Sequence, residues 1–68
     1  MRELREFRDA NGVLAVAPAE AARIAGVGRT TIYEAMGAGS LRSVKIGKRR
    51  LITIEALRAW LRAHEVVS

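Results

Sequence analysis

Gly26, Val27, Gly28, Arg29, Thr30, Thr31, Ile32, Tyr33, Glu34, Ala35 and Met36 make up the stretch on which the fold turns: a glycine turn, then a short helix with two faces. With a helix from Arg29 to Met36, the residues Ile32, Ala35 and Met36 fall at i, i+3 and i+4 and form an apolar stripe. The opposite face carries Thr30, Tyr33 and Glu34, with Arg29 and Thr31 on its flanks. Such a helix buries its aliphatic side and turns hydroxyl, phenol and guanidinium groups outward from its N-terminal half. Those groups contact phosphates and base edges, so the layout suits a helix that enters a DNA groove.

Upstream, Pro18 suits the first position of a helix, where its missing N–H is an orphan in any case. Glu20 then falls in the first turn, where a negative charge is favourable, while Ala17 is a poor N-cap. The spacing predicts a helix from Pro18 to Ala25 that presents Ala21, Ala22, Ile24 and Ala25 and stops at Gly26. Small side chains on its inner face let a second helix cross close by after a short turn, the helix-turn-helix arrangement.

Downstream, Gly37 and Gly39 accept positive φ and are expected to end the second helix. Val44 and Ile46 alternate with Ser43 and Lys45, and Leu51, Ile52, Thr53 and Ile54 follow the basic turn Gly47, Lys48, Arg49, Arg50. β-Branched residues on both sides of a glycine-containing turn predict a hairpin, with one of Leu51 and Ile52 facing inward. Thr53 is a good N-cap for a third helix from Ile54 to about His64, with Ile54, Leu57, Trp60 and Leu61 as its stripe and Arg58 and Arg62 outside. Trp60, beside Leu57 and Leu61, belongs to the core, and His64 suits an exposed helix end.

The fold class that follows is mostly α with a small β-hairpin, a winged helix-turn-helix over residues 13–64. Residues 1–12 form an N-terminal arm. Within it Leu4 and Phe7, with Arg2/Glu6 and Arg5/Asp9 at i, i+4, allow a short helix before a turn at Asn11 and Gly12. Residues 65–68 are expected to fray.

Composition sets the class of partner. Sixty-eight residues fit one domain near the lower limit for independent folding, and 12 of the 34 apolar residues are alanine, so the core is thin. The net charge of +5 points to a polyanion. From Leu14 to Arg62 there are nine Lys/Arg against three Glu, so the excess belongs to the folded part. With no cysteine there is no disulfide framework or thiolate metal site. One histidine and no coherent carboxylate pair leave no catalytic or metal constellation and imply no cofactor. No apolar run reaches the roughly 18 residues of a membrane span. Val13 to Ala19 imitates a secretory core, but Glu3, Glu6 and Asp9 spoil the basic leader, so a cytoplasmic, nucleoid-associated protein is expected.

Two helices, a basic hairpin and a third helix in that order resemble the excisionase family of winged helix-turn-helix proteins, relatives of the MerR DNA-binding domain. The resemblance runs from about Leu14 to Leu61. It is carried by Glu20, Ala21 and Ala22, the run Gly26 to Tyr33, Gly39, Ser40 and Leu41, the segment Val44 to Arg50, and Leu57 with Trp60 and Leu61. Ala22, Gly26 and Ile32 hold the spacing that helix-turn-helix proteins use for the close contact, the turn and the buried anchor. Gly28 departs from the family pattern, standing where a serine or threonine usually caps the second helix.

The resemblance implies that the second helix lies in the major groove of double-stranded DNA and the hairpin, as a wing, reaches the neighbouring minor groove or backbone. On the helix, Gly28, Arg29, Thr30, Thr31, Tyr33 and Glu34 are the candidate contacts. Arg29 can pair bidentately with guanine or clamp a phosphate. Thr30 and Tyr33 can donate to phosphate or touch a thymine methyl, and Glu34 can accept from cytosine N4 or repel misplaced backbone. On the wing the candidates are Lys45, Gly47, Lys48, Arg49 and Arg50, with Arg23 and Arg42 as auxiliary phosphate contacts. Arginine in a narrow minor groove reads shape more than sequence.

The role implied is a recombination directionality factor that binds repeated sites beside neighbouring copies of itself, bends DNA and directs an integrase toward excision. A small transcriptional regulator would use the same fold. A protein interaction module docking through Val66, Val67 and the third helix is a rival of another class, which the basic wing opposes.

Overall fold

Two glycine-terminated helices and a sheet that runs straight into a third helix enclose a core of small and branched side chains. The computed structural model describes residues 6–9 and 12–66, with side chains from 12 onward. In chain order the elements are β1 (Glu6–Asp9), β2 (Gly12–Val16), α1 (Pro18–Ala25), α2 (Arg29–Ala38), β3 (Val44–Ile46), β4 (Arg49–Thr53) and α3 (Ile54–Ala63). The strands form one antiparallel sheet in the order β1-β2-β4-β3. The winged helix-turn-helix is thus present, and its wing is the outer hairpin of a larger sheet.

α1 and α2 close in the same way. Gly26 sits at φ 75°, its N–H donating to the Arg23 carbonyl while Val27 N–H donates to the Ala22 carbonyl at 3.0 Å. Gly39 sits at φ 81°, its N–H donating to Met36 while Ser40 N–H donates to the Ala35 carbonyl at 3.0 Å. Both are Schellman closures, in which a left-handed residue lets the chain satisfy the last carbonyls and leave sharply. Gly37 does not end α2; the helix runs through it to Ala38.

The core gathers Val16, Ala21, Ala22, Ile32, Ala35, Met36, Leu41, Ile52, Leu57 and Trp60. Ala21 and Ile32 are both fully buried, which is the close crossing of α1 and α2 expected from small side chains. Trp60 lies in the core, but Leu61 is 42 % exposed and Ile24 46 % exposed. Ile24 stands about 60° outside the arc shared by Ala21, Ala22 and Ala25, and Leu61 flanks the Leu57–Trp60 line at the far end of α3.

Two expectations, on the N-terminal arm and on the hairpin turn, are corrected, and the one on Leu51 and Ile52 is resolved. The short helix allowed within residues 1–12 is instead a strand over Glu6–Asp9, paired with β2. An isolated helix of that length lacks support, whereas β2 offers a ladder of backbone partners. The rest of that arm, apart from Gly12, lies outside the described residues. In this pairing Phe7 faces Ala15 and Arg8 faces Val13, so Leu14 is the extra residue of a bulge. Leu51 and Ile52 are both buried, at 2 % and 0 % exposure. Ile52 belongs to the helix-facing core, and Leu51, on the other side of the strand, is covered as well. The hairpin turn holds only Gly47 and Lys48, because Ile46 pairs with Arg49 and Lys45 with Arg50. Gly47 at φ 62°, with no positive φ at Lys48, matches the two-residue turns that favour glycine at their first central position.

Thr53 ends β4 and caps α3, its Oγ1 accepting from Ala56 N–H at 3.0 Å. Sheet and helix are therefore joined without a loop. Thr53→Ala is expected to lower unfolding stability by about 1 kcal/mol, with Thr53→Ser close to the parent, as read from urea denaturation.

Candidate nucleic-acid interface

Charge is sorted along this fold. Between Arg29 and Arg50 stand Arg29, Arg42, Lys45, Lys48, Arg49 and Arg50 against Glu34 alone, which accounts for the whole net charge of +5. The segments on either side are each neutral in sum. Arg29 and Glu34 cancel on α2, so the excess lies on the wing and the loop before it, from Arg42 to Arg50.

On α2, burial of Ile32, Ala35 and Met36 leaves Gly28, Arg29, Thr30, Thr31, Tyr33 and Glu34 exposed, as the periodicity required. Neither α1 nor α2 has a side-chain N-cap: Ala17 and Gly28 hold those positions in extended backbone. Ala17, Glu20, Arg23, Gly28 and Arg29 line one groove where these two helix starts come together. Uncapped N–H groups and arginines at a helix start are donors that phosphate oxygens accept from. Arg23, expected as an auxiliary phosphate contact, is engaged with Glu20: Nε donates to Oε1 at 2.9 Å and Nη2 meets Oε2. Its side chain stays 69 % exposed, so this surface pair is a weak tether.

On the wing, strand alternation sorts the basic residues onto two faces. Arg50 lies two residues before Ile52 and so shares the helix-bearing face of the sheet, and its cross-strand partner Lys45 lies there too. Arg49, half-buried, shares the other face with Leu51 and with Val44 and Ile46, which are 42 % and 55 % exposed. Lys48 stands at the turn and Arg42 is exposed on the loop before β3. Reading Arg49 and Arg50 as turn residues missed this sorting, because the turn is shorter than the basic run. Two like charges directly across a ladder destabilise it, and an anion held between them removes that penalty.

A helix-turn-helix with a three-residue turn, an exposed polar second helix and a basic wing defines the winged helix-turn-helix class of DNA-binding proteins. A family model described as a helix-turn-helix domain matches residues 18–65, and the chain belongs to that family, an excisionase-like group. Searches of curated proteins and of solved structures returned no match. Among the described residues no helix is long and apolar enough to cross a membrane.

With about five to seven phosphates neutralised by helix and wing together, log affinity is expected to fall against log salt with a slope of about −5 to −6. A slope shallower than about −2 would rule out simultaneous docking of both elements. Lys45→Ala with Arg50→Ala is expected to flatten the slope by about 2 while leaving thermal stability equal or higher, since the pair is repulsive without DNA.

Proposed function

We propose that this protein is a sequence-specific DNA-binding factor of the excisionase type, which binds repeated sites cooperatively, bends the DNA and orients an integrase toward excision. The observation that supports DNA binding is the location of the entire net charge on the loop and wing from Arg42 to Arg50, where every basic residue is exposed but the half-buried Arg49. Membership of the helix-turn-helix family supports the docking, with α2 in the major groove and the wing along the adjacent minor groove or backbone. In this reading Arg29, Thr30, Thr31, Tyr33 and Glu34 meet the groove, and Gly28 admits the phosphate backbone at the helix start. Lys45, Gly47, Lys48, Arg49 and Arg50, with Arg23 and Arg42, hold the flanking backbone.

Cooperation between copies follows from size. A single module of this kind covers roughly 600 to 1,000 Å², which is small for strong specificity, so adjacent copies share the task. DNA bent by successive wings then presents the attachment site to the recombinase.

Purified protein is mixed with fragmented genomic DNA at ~150 mM salt and the retained fragments are sequenced, a condition under which phosphate contacts alone bind weakly. Tandem sites beside an integrase gene or attachment junction are the expected enrichment. Enrichment at promoters would replace the excision role with transcriptional regulation, and retention no better than random fragments would remove sequence-specific binding altogether.

A further inference from the structure

The outer face of the wing is apolar where an exposed sheet edge is ordinarily polar. β3 is an edge strand, and all three of its residues are exposed. Val44 and Ile46 share the face turned away from the helices, Val44 directly across from Leu51 and Ile46 from Arg49. Proteins usually protect such an edge with charged side chains, because an apolar one invites association. Here the charges stand around the apolar ridge and not on it. Arg42 precedes it, Lys48 follows at the turn, Arg49 lies beside Ile46, and Lys45 and Arg50 occupy the opposite face, with no acid from Arg42 to Arg50. A second wing would bring five more cations against these five, so two hairpins repel one another.

The minor groove of DNA complements both features, with apolar deoxyribose walls between two rows of phosphates. A hairpin with side chains on both faces is about 10 Å thick, whereas the minor groove of B-DNA is about 6 Å wide. The wing therefore enters only a groove that has opened. We infer that Ile46, backed by Val44, is an apolar wedge that presses on one wall of this groove, while the cations on the two faces of the hairpin hold the phosphate rows. Ile46 is the last residue before the turn and the more exposed of the two, so it reaches deepest. The inference rests on the DNA-binding reading above and deepens it, since a wedge in the minor groove bends the duplex toward the major groove. Bending is cheapest at flexible pyrimidine–purine steps, so the duplexes bound best carry a TA, CA or TG step under the wing.

The test uses the full chain and a duplex selected by the wild-type protein from a randomised library, with a dye at each end so that energy transfer reads the bend. Ile46→Ala is expected to keep Tm within about 4 °C of the wild type, because Ile46 lies outside the core. It is expected to weaken binding to the selected duplex by about tenfold and to lose most of the bend. Ile46→Leu, which keeps the apolar volume, is expected to keep the bend. Ile46→Lys adds a cation but removes the wedge, and is expected to bind the selected duplex more weakly and leave it straighter. A wild-type protein that leaves its duplex straight, an undiminished bend with Ile46→Ala, or tighter binding by Ile46→Lys each overturns the wedge. So does self-association of the wild-type protein without DNA that Ile46→Lys abolishes in sedimentation, which would assign the ridge to a second copy. Failure of the wild-type protein to select any duplex would instead overturn the DNA-binding reading itself.

Discussion

The close crossing of α1 and α2 is the contact on which the rest depends. Ala21 and Ala22 give the second helix room to approach, and Ile32 fills the seam completely. Burying a side chain of that size is worth roughly 1.5–3 kcal/mol, a large share of the net stability a 68-residue domain can hold. The crossing also fixes which side of α2 is dry. Once Ile32, Ala35 and Met36 face the core, the outward direction of Thr30, Tyr33 and Glu34 is no longer free to change.

Several features of α2 and the wing cost the isolated fold stability. Gly28 gives up a hydroxyl cap at the start of α2, Gly37 weakens its last turn, and Lys45 faces Arg50 across the wing. Each choice costs the isolated fold a little. The thin, alanine-rich core offsets those losses with tight helix closures at Gly26 and Gly39 and with the cap that Thr53 provides to α3. Charge is unevenly placed as well, neutral in sum from the first residue through α2, positive from Arg42 to Arg50, and neutral again beyond.

Helix positions were legible in the residues because their signals are local. Pro18 and Gly26 bound α1, Thr53 opens α3, and the three-four spacing around Ile32 names the buried face of α2. The wing was legible as a hairpin but not in its register. Arg49 and Arg50 read as turn residues by their charge, yet Gly47 closes the hairpin in two residues and places both on β4. Gly37 carried a stop signal indistinguishable from that of Gly39, and the closure chose Gly39, where Ser40 and Leu41 amides reach the Ala35 carbonyl.

By itself the sequence determined three helices, a basic hairpin and the concentration of positive charge around it, since caps, glycine stops, periodicity and charge act over a few residues. The tertiary structure decided everything that needs a distant partner. Gly12–Val16 is a strand through pairing with β1 along its length and with the distant β4 at Ala15 and Val16, and Glu6–Asp9 is one through β2, where local pattern allowed a helix. Only the completed sheet buries Leu51 together with Ile52 and divides Arg49 from Arg50 between its faces. Strand pairing joins residues far apart in the chain, and no local spacing records which partner will be there.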